Sequence, residues 1–253
     1  MLDLKGKTAL VTGASSGIGQ ATVRRLVQAG GRVIVAARRT ERLAALREEL
    51  GDALFPITLD VRQREHVEKI LGELPTEWSA ISILVNNAGL ALGLEKLAEA
   101  NVADWEGMID TNVKGLLYVT HTILPGMLAR GEGHIINLGS IAGHEAYPGG
   151  SVYCATKSSV HAISESLRKE LVDTPLRVTE ISPGMVETEF SLVRFHGDKD
   201  RAARVYHGVE PLTADDIADA ILYAATRPPH VNINEMIIMA TNQAGATIVS
   251  RKQ

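Results

Sequence analysis

The chain has 253 residues, a formal net charge of −4, and hydrophobic and charged fractions of 45% and 22%. A chain this long buries roughly 70–75% of its unfolded surface, enough for one large core, and its dispersed basic residues exclude a broad cationic face for nucleic acid. A lone cysteine, Cys154, excludes an intrachain disulfide, and no apolar run approaches the roughly 18 residues of a membrane span. The opening "MLDLKGK" has no apolar signal-like core. A cytoplasmic protein with no membrane partner, folded as a single domain over residues 1–253, is expected.

In chain order, short β-branched apolar runs predict strands at Thr8–Thr12, Arg32–Ala36, Leu54–Leu59, Ile83–Val85, His134–Leu138, Arg177–Ile181 and Met236–Met239. Amphipathic patterns between them predict helices at Ile18–Ala29, Glu41–Leu50, Arg64–Leu74, Asp104–Leu128, Tyr153–Leu171 and Ala214–Thr226. Continuous apolar strands alternating with helices imply a doubly wound α/β fold with a parallel sheet covered on both faces. From Met185 to Pro211 no helical or strand period emerges. Irregular segments this long in compact domains are often functional.

The first strand-to-helix junction reads "TGASSGIG", with Gly13, Gly17 and Gly19. Glycines here allow a tight turn and close approach of backbone to a pyrophosphate. The helix N-terminus adds free N–H groups and a positive dipole. NAD enzymes of this architecture carry an acid after the second strand to hold the ribose 2′-hydroxyl. This chain instead has Arg38 and Arg39, followed by a helix whose dipole two cations oppose. Each costs about 0.3–1 kcal/mol unless an anion is present. Guanidinium forks suit a 2′-phosphate, so NADP(H) is expected over NAD(H).

"GSIAGHEAYPGGSVYCATK" carries the chemistry. Tyr153 and Lys157 stand i and i+4 and share one helix face. A tyrosine's ordinary pKa near 10 makes it a poor base, but an ammonium at ~4 Å favours the phenolate by ~4 kcal/mol before desolvation. Tyr153 is then tuned to exchange a proton with an alcohol or carbonyl. Ser140 follows the fifth strand, at the edge where open α/β sheets bind ligands, and can bond the same oxygen. Cys154 has no neighbouring base and reads as a packing residue. The eight histidines show no metal-ligand spacing, so no metal is expected.

Along nearly its whole length the sequence resembles the short-chain dehydrogenase/reductases, in "TGASSGIG", "LDV" (Leu59–Val61), "NNAG" (Asn86–Gly89), "TNVKG" (Thr111–Gly115), Ser140, "YCATK" and "SPGMVET" (Ser182–Thr188). The resemblance implies a Rossmann-type sheet of seven parallel strands in the order 3-2-1-4-5-6-7. It also implies cofactor contacts from Gly13, Ala14, Ser15, Ser16, Gly17 and Ile18 at the turn, with Asp60 and Val61 beside the adenine. Asn87, Ala88 and Gly89 would line the ribose, with Tyr153 and Lys157 nearby. Pro183, Gly184, Val186 and Thr188 would meet the nicotinamide and diphosphate. Ser140, Tyr153, Lys157 and Asn112 would be catalytic, Asn112 through a water that links Lys157 to solvent. A homotetramer built on the helices matching Asp104–Leu128 and Tyr153–Leu171 is implied as well.

"EFSLVRFHGD", with "NNAGLALG", "LPGML" and "HVNINEM", resembles a narrower branch: the NADP-dependent 3-hydroxy acid dehydrogenases acting on serine, allo-threonine and related small acids. The expected substrate is therefore a small anionic hydroxy acid of the serine, allo-threonine or 3-hydroxypropionate type, or its 3-oxo acid or semialdehyde. Such a substrate offers little apolar area, so its carboxylate must supply much of the binding. Arg194, between Val193 and Phe195 in a lid around 185–211, is the candidate anchor, and losing such a partner inside a closed site costs about 2–5 kcal/mol. The bland alternative has Arg194 at the surface or paired with Glu189 or Asp198. Competing functions are reduction of a small anionic aldehyde such as sulfoacetaldehyde, and 3-oxoacyl-acyl-carrier reduction. The ending "INEMIIMATNQ" counts against the second. A non-catalytic NADP(H) sensor is a third, and the intact Tyr153 and Lys157 count against it.

Overall fold

A computed structural model of the chain describes residues 3–252. Its seven strands are β1 (Thr8–Thr12), β2 (Arg32–Ala37), β3 (Leu54–Thr58), β4 (Ile81–Asn86), β5 (His134–Leu138), β6 (Arg177–Pro183) and β7 (Glu235–Ile238). They form one sheet in the order β3-β2-β1-β4-β5-β6-β7, every neighbouring pair parallel. All seven expected strands are present, with ends moved by at most two residues.

Successive residues of each strand face opposite sides of the sheet, so both faces must be covered. Val11, Val33 and Val35 pack on one face with Val23, Leu26, Leu43, Ile217 and Ile221. These come from α1 (Gly17–Gln28), α2 (Thr40–Leu50) and α10 (Ala214–Ala225). Their sequence neighbours Leu10 and Ile34 turn to the other face, with Leu84 of β4, among Val67, Val119, Met127 and Leu167. Those belong to α3 (Arg64–Gly72), α6 (Leu116–Arg130) and α7 (Ser151–Glu170). A buried polar ladder fixes the register of α6 and α7. Asn86 donates to Thr120 and Asn137 at 2.8 and 2.9 Å, and Asn137 donates to Ser164 at 2.9 Å.

Two expectations need correction. The helix expected over Asp104–Leu128 is α5 (Val102–Ile109) followed by α6, joined through one wide π-turn, Asp110–Gly115. Asn101 caps its start through Ala103 N at 3.0 Å, and Gly131, left-handed at φ 62°, ends it. Apolar periodicity cannot reveal a π-turn, which adds a residue without changing composition. The segment Met185–Pro211 is also not wholly irregular. It holds α8 (Phe190–Arg194) and α9 (Lys199–Tyr206), the latter capped by Asp198. A four-residue helix, α4 (Thr76–Ser79), was too short for any period to betray.

β1 sits between β2 and β4, so the chain's crossovers reverse direction there. Ligand crevices of open α/β sheets form at the carboxyl ends of strands at such a reversal.

Candidate active site

One continuous cleft opens at those carboxyl ends and is walled by the ends of β2, β5 and β6 (Ala37, Leu138, Pro183) and by the loops that follow β1, β3 and β4. Of the expected site residues, all but Ala14, Asn112 and Arg194 line it. Ala14 lies wholly buried beneath the first turn, its N–H donating to Ala36 O at 3.2 Å.

At the floor, Gly13 and Gly17 hold left-handed conformations, φ 66° and 52°. A Cβ on Gly13 would stand 2.9 Å from the Ala88 Cα, and one on Gly19 would collide with Asn87 and the Gly13 carbonyl. The glycines thus draw the turn tight against the Asn87–Ala88 loop, and Gly13, Ser15, Ser16, Gly17 and Ile18 form the cleft's cradle at the N-terminus of α1. Thr12, overlooked in the sequence, holds the facing loop. Its Oγ1 accepts from the Asn87 and Ala88 N–H groups at 3.1 and 3.0 Å.

The mouth is cationic. Arg38 is exposed and has no ion-pair partner among the described residues. Arg39 donates to the Ser15 and Ser16 hydroxyls at 3.1 and 2.6 Å and to Glu189 at 2.9 Å. Glu189 also accepts from Arg42 at 2.8 Å, and the two guanidiniums hold its carboxyl below the usual range. Glu189 was not expected at the cofactor mouth; a lone acid in an irregular segment gives no sequence signal. Further along, Asp60 is held low chiefly by its Arg62 ion pair, at 2.6 Å. The cradle, the free Arg38 and the phosphate-matching forks fit a 2′-phosphorylated dinucleotide.

Ser140, Tyr153 and Lys157 meet in the inner half of the cleft. Tyr153 is 8% exposed, and burial pushes its phenol well above the ordinary range, with the neighbouring Ser140 hydroxyl and then the Arg194 charge pulling it back. Lys157 does not supply the dominant pull expected for it. Its Nζ donates to Leu138 O at 2.7 Å, and burial lowers its own pKa to about 8 against the opposing charge of Glu180. Asn112 sits inside the π-turn, behind the cleft wall. Its amide donates to Leu90 O and Thr156 Oγ1 at 2.8 and 3.0 Å and accepts from Leu90 N at 2.8 Å. A Cβ on Gly89 would come within 3.3 Å of Asn112 Oδ1 and 3.6 Å of Lys157 Nζ, so both polar ends converge on that glycine.

Phe190 and Val193 of α8 close the cleft beside Tyr153. Arg194 follows, half-buried. It donates from Nε to Gly93 O at 3.1 Å and from Nη2 to Tyr147 Oη at 2.8 Å. Its guanidinium lies 5.5 Å from the Tyr153 ring centroid and 5.7 Å from that of Tyr147. Neither suspected carboxylate takes it. Glu189 is held by Arg39 and Arg42, and Asp198 caps α9 through Asp200 N and Arg201 N. Tyr147 was missed because an aromatic between Ala146 and Pro148 reads as a turn residue. Nearby, Glu145 accepts from Ala246 N at 2.9 Å, so it tethers the C-terminal segment and leaves the cleft to others.

Residues 7–197 match the family model described as short chain dehydrogenase. The chain is 51% identical over 245 residues to the NADP-dependent 3-hydroxy acid dehydrogenase YdfG of Escherichia coli strain K12, covering 96% of this chain and 99% of that one. It is 46% identical to the NADP-dependent 3-hydroxy acid dehydrogenase of Schizosaccharomyces pombe over the full length of both. Among solved structures it resembles the closed form of serine dehydrogenase complexed with NADP+, with TM-score 0.93, 50% identity, and coverage of 97% and 100%. The chain belongs to the short-chain dehydrogenase family, as an NADP-dependent oxidoreductase acting on CH–OH groups.

Proposed function

We propose that the enzyme interconverts a small 3-hydroxy acid, of the serine, allo-threonine or 3-hydroxypropionate type, with its 3-oxo acid or semialdehyde. The observation carrying this reading is Arg194: a half-buried guanidinium without a carboxylate partner among the described residues, 5.5 Å from the Tyr153 ring. A cation kept unneutralised beside a catalytic phenol suits an anionic substrate. It supplies the orientation that a three- or four-carbon molecule cannot gain from apolar burial. The named activities of the 51% and 46% identical relatives agree with this reading. A sulfonate would meet the same guanidinium, which makes sulfoacetaldehyde the natural competitor.

In this mechanism Ser140 holds the reacting oxygen, and Tyr153 passes the proton between that oxygen and the protein. Bound in the cleft, NADP(H) supplies the hydride donor or acceptor. The buried phenol resists ionisation alone, so it acts as acid toward a carbonyl and becomes a base only with positive charge nearby. Arg194 supplies part of that charge, protonated Lys157 would add to it, and Asn112 carries the relay outward through water. Gly13 to Ile18, Arg38 and Arg39 would hold the phosphates. Asp60, Val61, Asn87, Ala88 and Gly89 would meet the adenosine and ribose, and Pro183, Gly184, Val186 and Thr188 the nicotinamide side. The segment 185–211 serves as a lid on this one-domain enzyme, its α8 lying against the substrate end. Exposed Ile109, Leu117 and Leu128 along α5 and α6 suit a homotetramer built on that surface and α7.

The test is a substrate panel followed by NADPH oxidation and NADP+ reduction: serine, allo-threonine, 3-hydroxypropionate, malonic semialdehyde, sulfoacetaldehyde and a neutral secondary alcohol. The carboxylates should lead in kcat/KM. A neutral alcohol outperforming every acid would remove the proposal.

A further inference from the structure

Away from the cleft, four metal-ligating side chains meet. His144 lies just past the short turn Ile141–Gly143 that follows Ser140, His161 on α7, Glu180 within β6, and Glu235 at the start of β7. One ligand atom from each falls within 4.8 Å of all the others. None of the four walls the catalytic cleft.

Charge and hydrogen bonding are unbalanced there. The Glu180 side chain is wholly buried, and the Glu235 side chain is only 25% exposed. Both carboxylates lean on one hydroxyl: Ser182 Oγ lies 3.0 Å from Glu180 Oε1 and 3.1 Å from Glu235 Oε1. A serine has one hydrogen to donate, so it can satisfy only one of them. The rest falls to the imidazoles, with His161 Nδ1 at 2.9 Å from Glu180 Oε2 and His144 Nε2 at 2.6 Å from Glu235 Oε1. Burying two carboxylates together demands compensating positive charge. One divalent cation would provide it.

The donor set and geometry favour the cation. Two nitrogens and two carboxylate oxygens make a zinc-type set; magnesium and calcium prefer all-oxygen shells. Ligand atoms around tetrahedral zinc at about 2.0–2.2 Å sit roughly 3.3–3.6 Å apart. The two short pairs at 2.6 and 2.9 Å would open slightly as the ion displaces their shared protons. The His161–Glu235 pair at 3.9 Å would close. Ser182 then holds the outer oxygen of Glu180, Oε1, the usual service of a group behind a metal ligand. Space is reserved for this arrangement: a Cβ on Gly139 would run into the Glu180 carboxylate and the Ser182 hydroxyl.

We propose that His144, His161, Glu180 and Glu235 form a tetrahedral zinc site that fastens the turn after Ser140 to α7, β6 and β7. The four ligands come from separate segments, so no histidine spacing announces them in the sequence.

The untagged full-length enzyme, dialysed against chelator, is titrated with Co2+ and then with Zn2+. One Co2+ per chain should bind with the intense visible bands of tetrahedral cobalt, and one equivalent of Zn2+ should abolish them. Zn2+ at a hundredfold excess over Kd should raise the thermal midpoint by several degrees. His161→Gln and, separately, Glu235→Gln should weaken Co2+ binding about 100-fold, with NADPH binding unchanged and the metal-free midpoint confirming the fold. Binding of less than half an equivalent, or equal affinity in wild type and both variants, would overturn the site. Octahedral-type weak bands would overturn it as well.

Discussion

Arg39, just before α2, and Glu189, just before α8, are joined by a 2.9 Å ion pair across the cofactor mouth. We expect a 2′-phosphate to compete with this carboxylate for Arg39. Both partners are about 40% exposed, which limits the pair to about 0–1 kcal/mol. Glu189→Gln is expected to tighten NADP+ up to about fivefold and to leave NAD+ unchanged, by fluorescence titration. Arg39→Leu should weaken NADP+ alone, by tenfold or more. Equal effects of either change on both cofactors would sever Arg39 from the 2′-phosphate.

Tyr153→Phe keeps the ring that packs against Phe190 at 5.8 Å but removes the hydroxyl. NADPH binding should persist within about twofold while turnover falls at least 1,000-fold, within the range general acid–base groups supply. Retained turnover would return the protein to the class of cofactor sensors, or shift the proton to another group.

The depressed pKa of Lys157 sets a pH limb. Burial lowers it from 10.5 to about 8, so the ammonium is present below pH 8 and lost above it. Carbonyl reduction consumes a proton from this relay, so its kcat/KM should fall up to tenfold per pH unit above about 8. A reductive profile flat to pH 10 would remove Lys157 from the relay.

His134 supplies an acid-stability test. It is fully buried on β5, its Nε2 is 2.8 Å from Thr179 Oγ1, and burial, aided by the Arg177 charge, holds its pKa well below 6.5. With the folded pKa depressed, the unfolded chain takes up a proton that the native state refuses. Stability is then lost as pH falls below about 6.5, by up to ~1.4 kcal/mol per unit. His134→Gln keeps a partner for Thr179 and cannot charge. Between pH 7.5 and 5.5 it should lose about 1–1.5 kcal/mol less than wild type in urea unfolding. Equal losses would refute the assignment.

The strands were legible because a sheet covered on both faces demands unbroken apolar runs, as in "TALVT" and "RVIVAA". Tyr153 and Lys157 were legible because helical spacing alone puts them together. Hydrogen-bond competition was not. That Lys157 would turn to Leu138 O, or that Glu189 would reach Arg39 and Arg42, depends on contacts between residues distant in sequence. The same holds for the π-turn at Asn112 and the meeting of His144, His161, Glu180 and Glu235.

The central claim is that Arg194 reads the substrate's anion, and one measurement addresses it most directly. Kinetic constants of wild type and Arg194→Leu are compared for 3-hydroxypropionate or serine and for a neutral alcohol. Loss of a buried charge-assisted pair, about 2–5 kcal/mol, corresponds to at least a 30-fold drop in kcat/KM for the acid, carried mainly by KM. The neutral alcohol should change less than threefold. Equal losses on both substrates would contradict the assignment and reduce Arg194 to a brace between Gly93 and Tyr147.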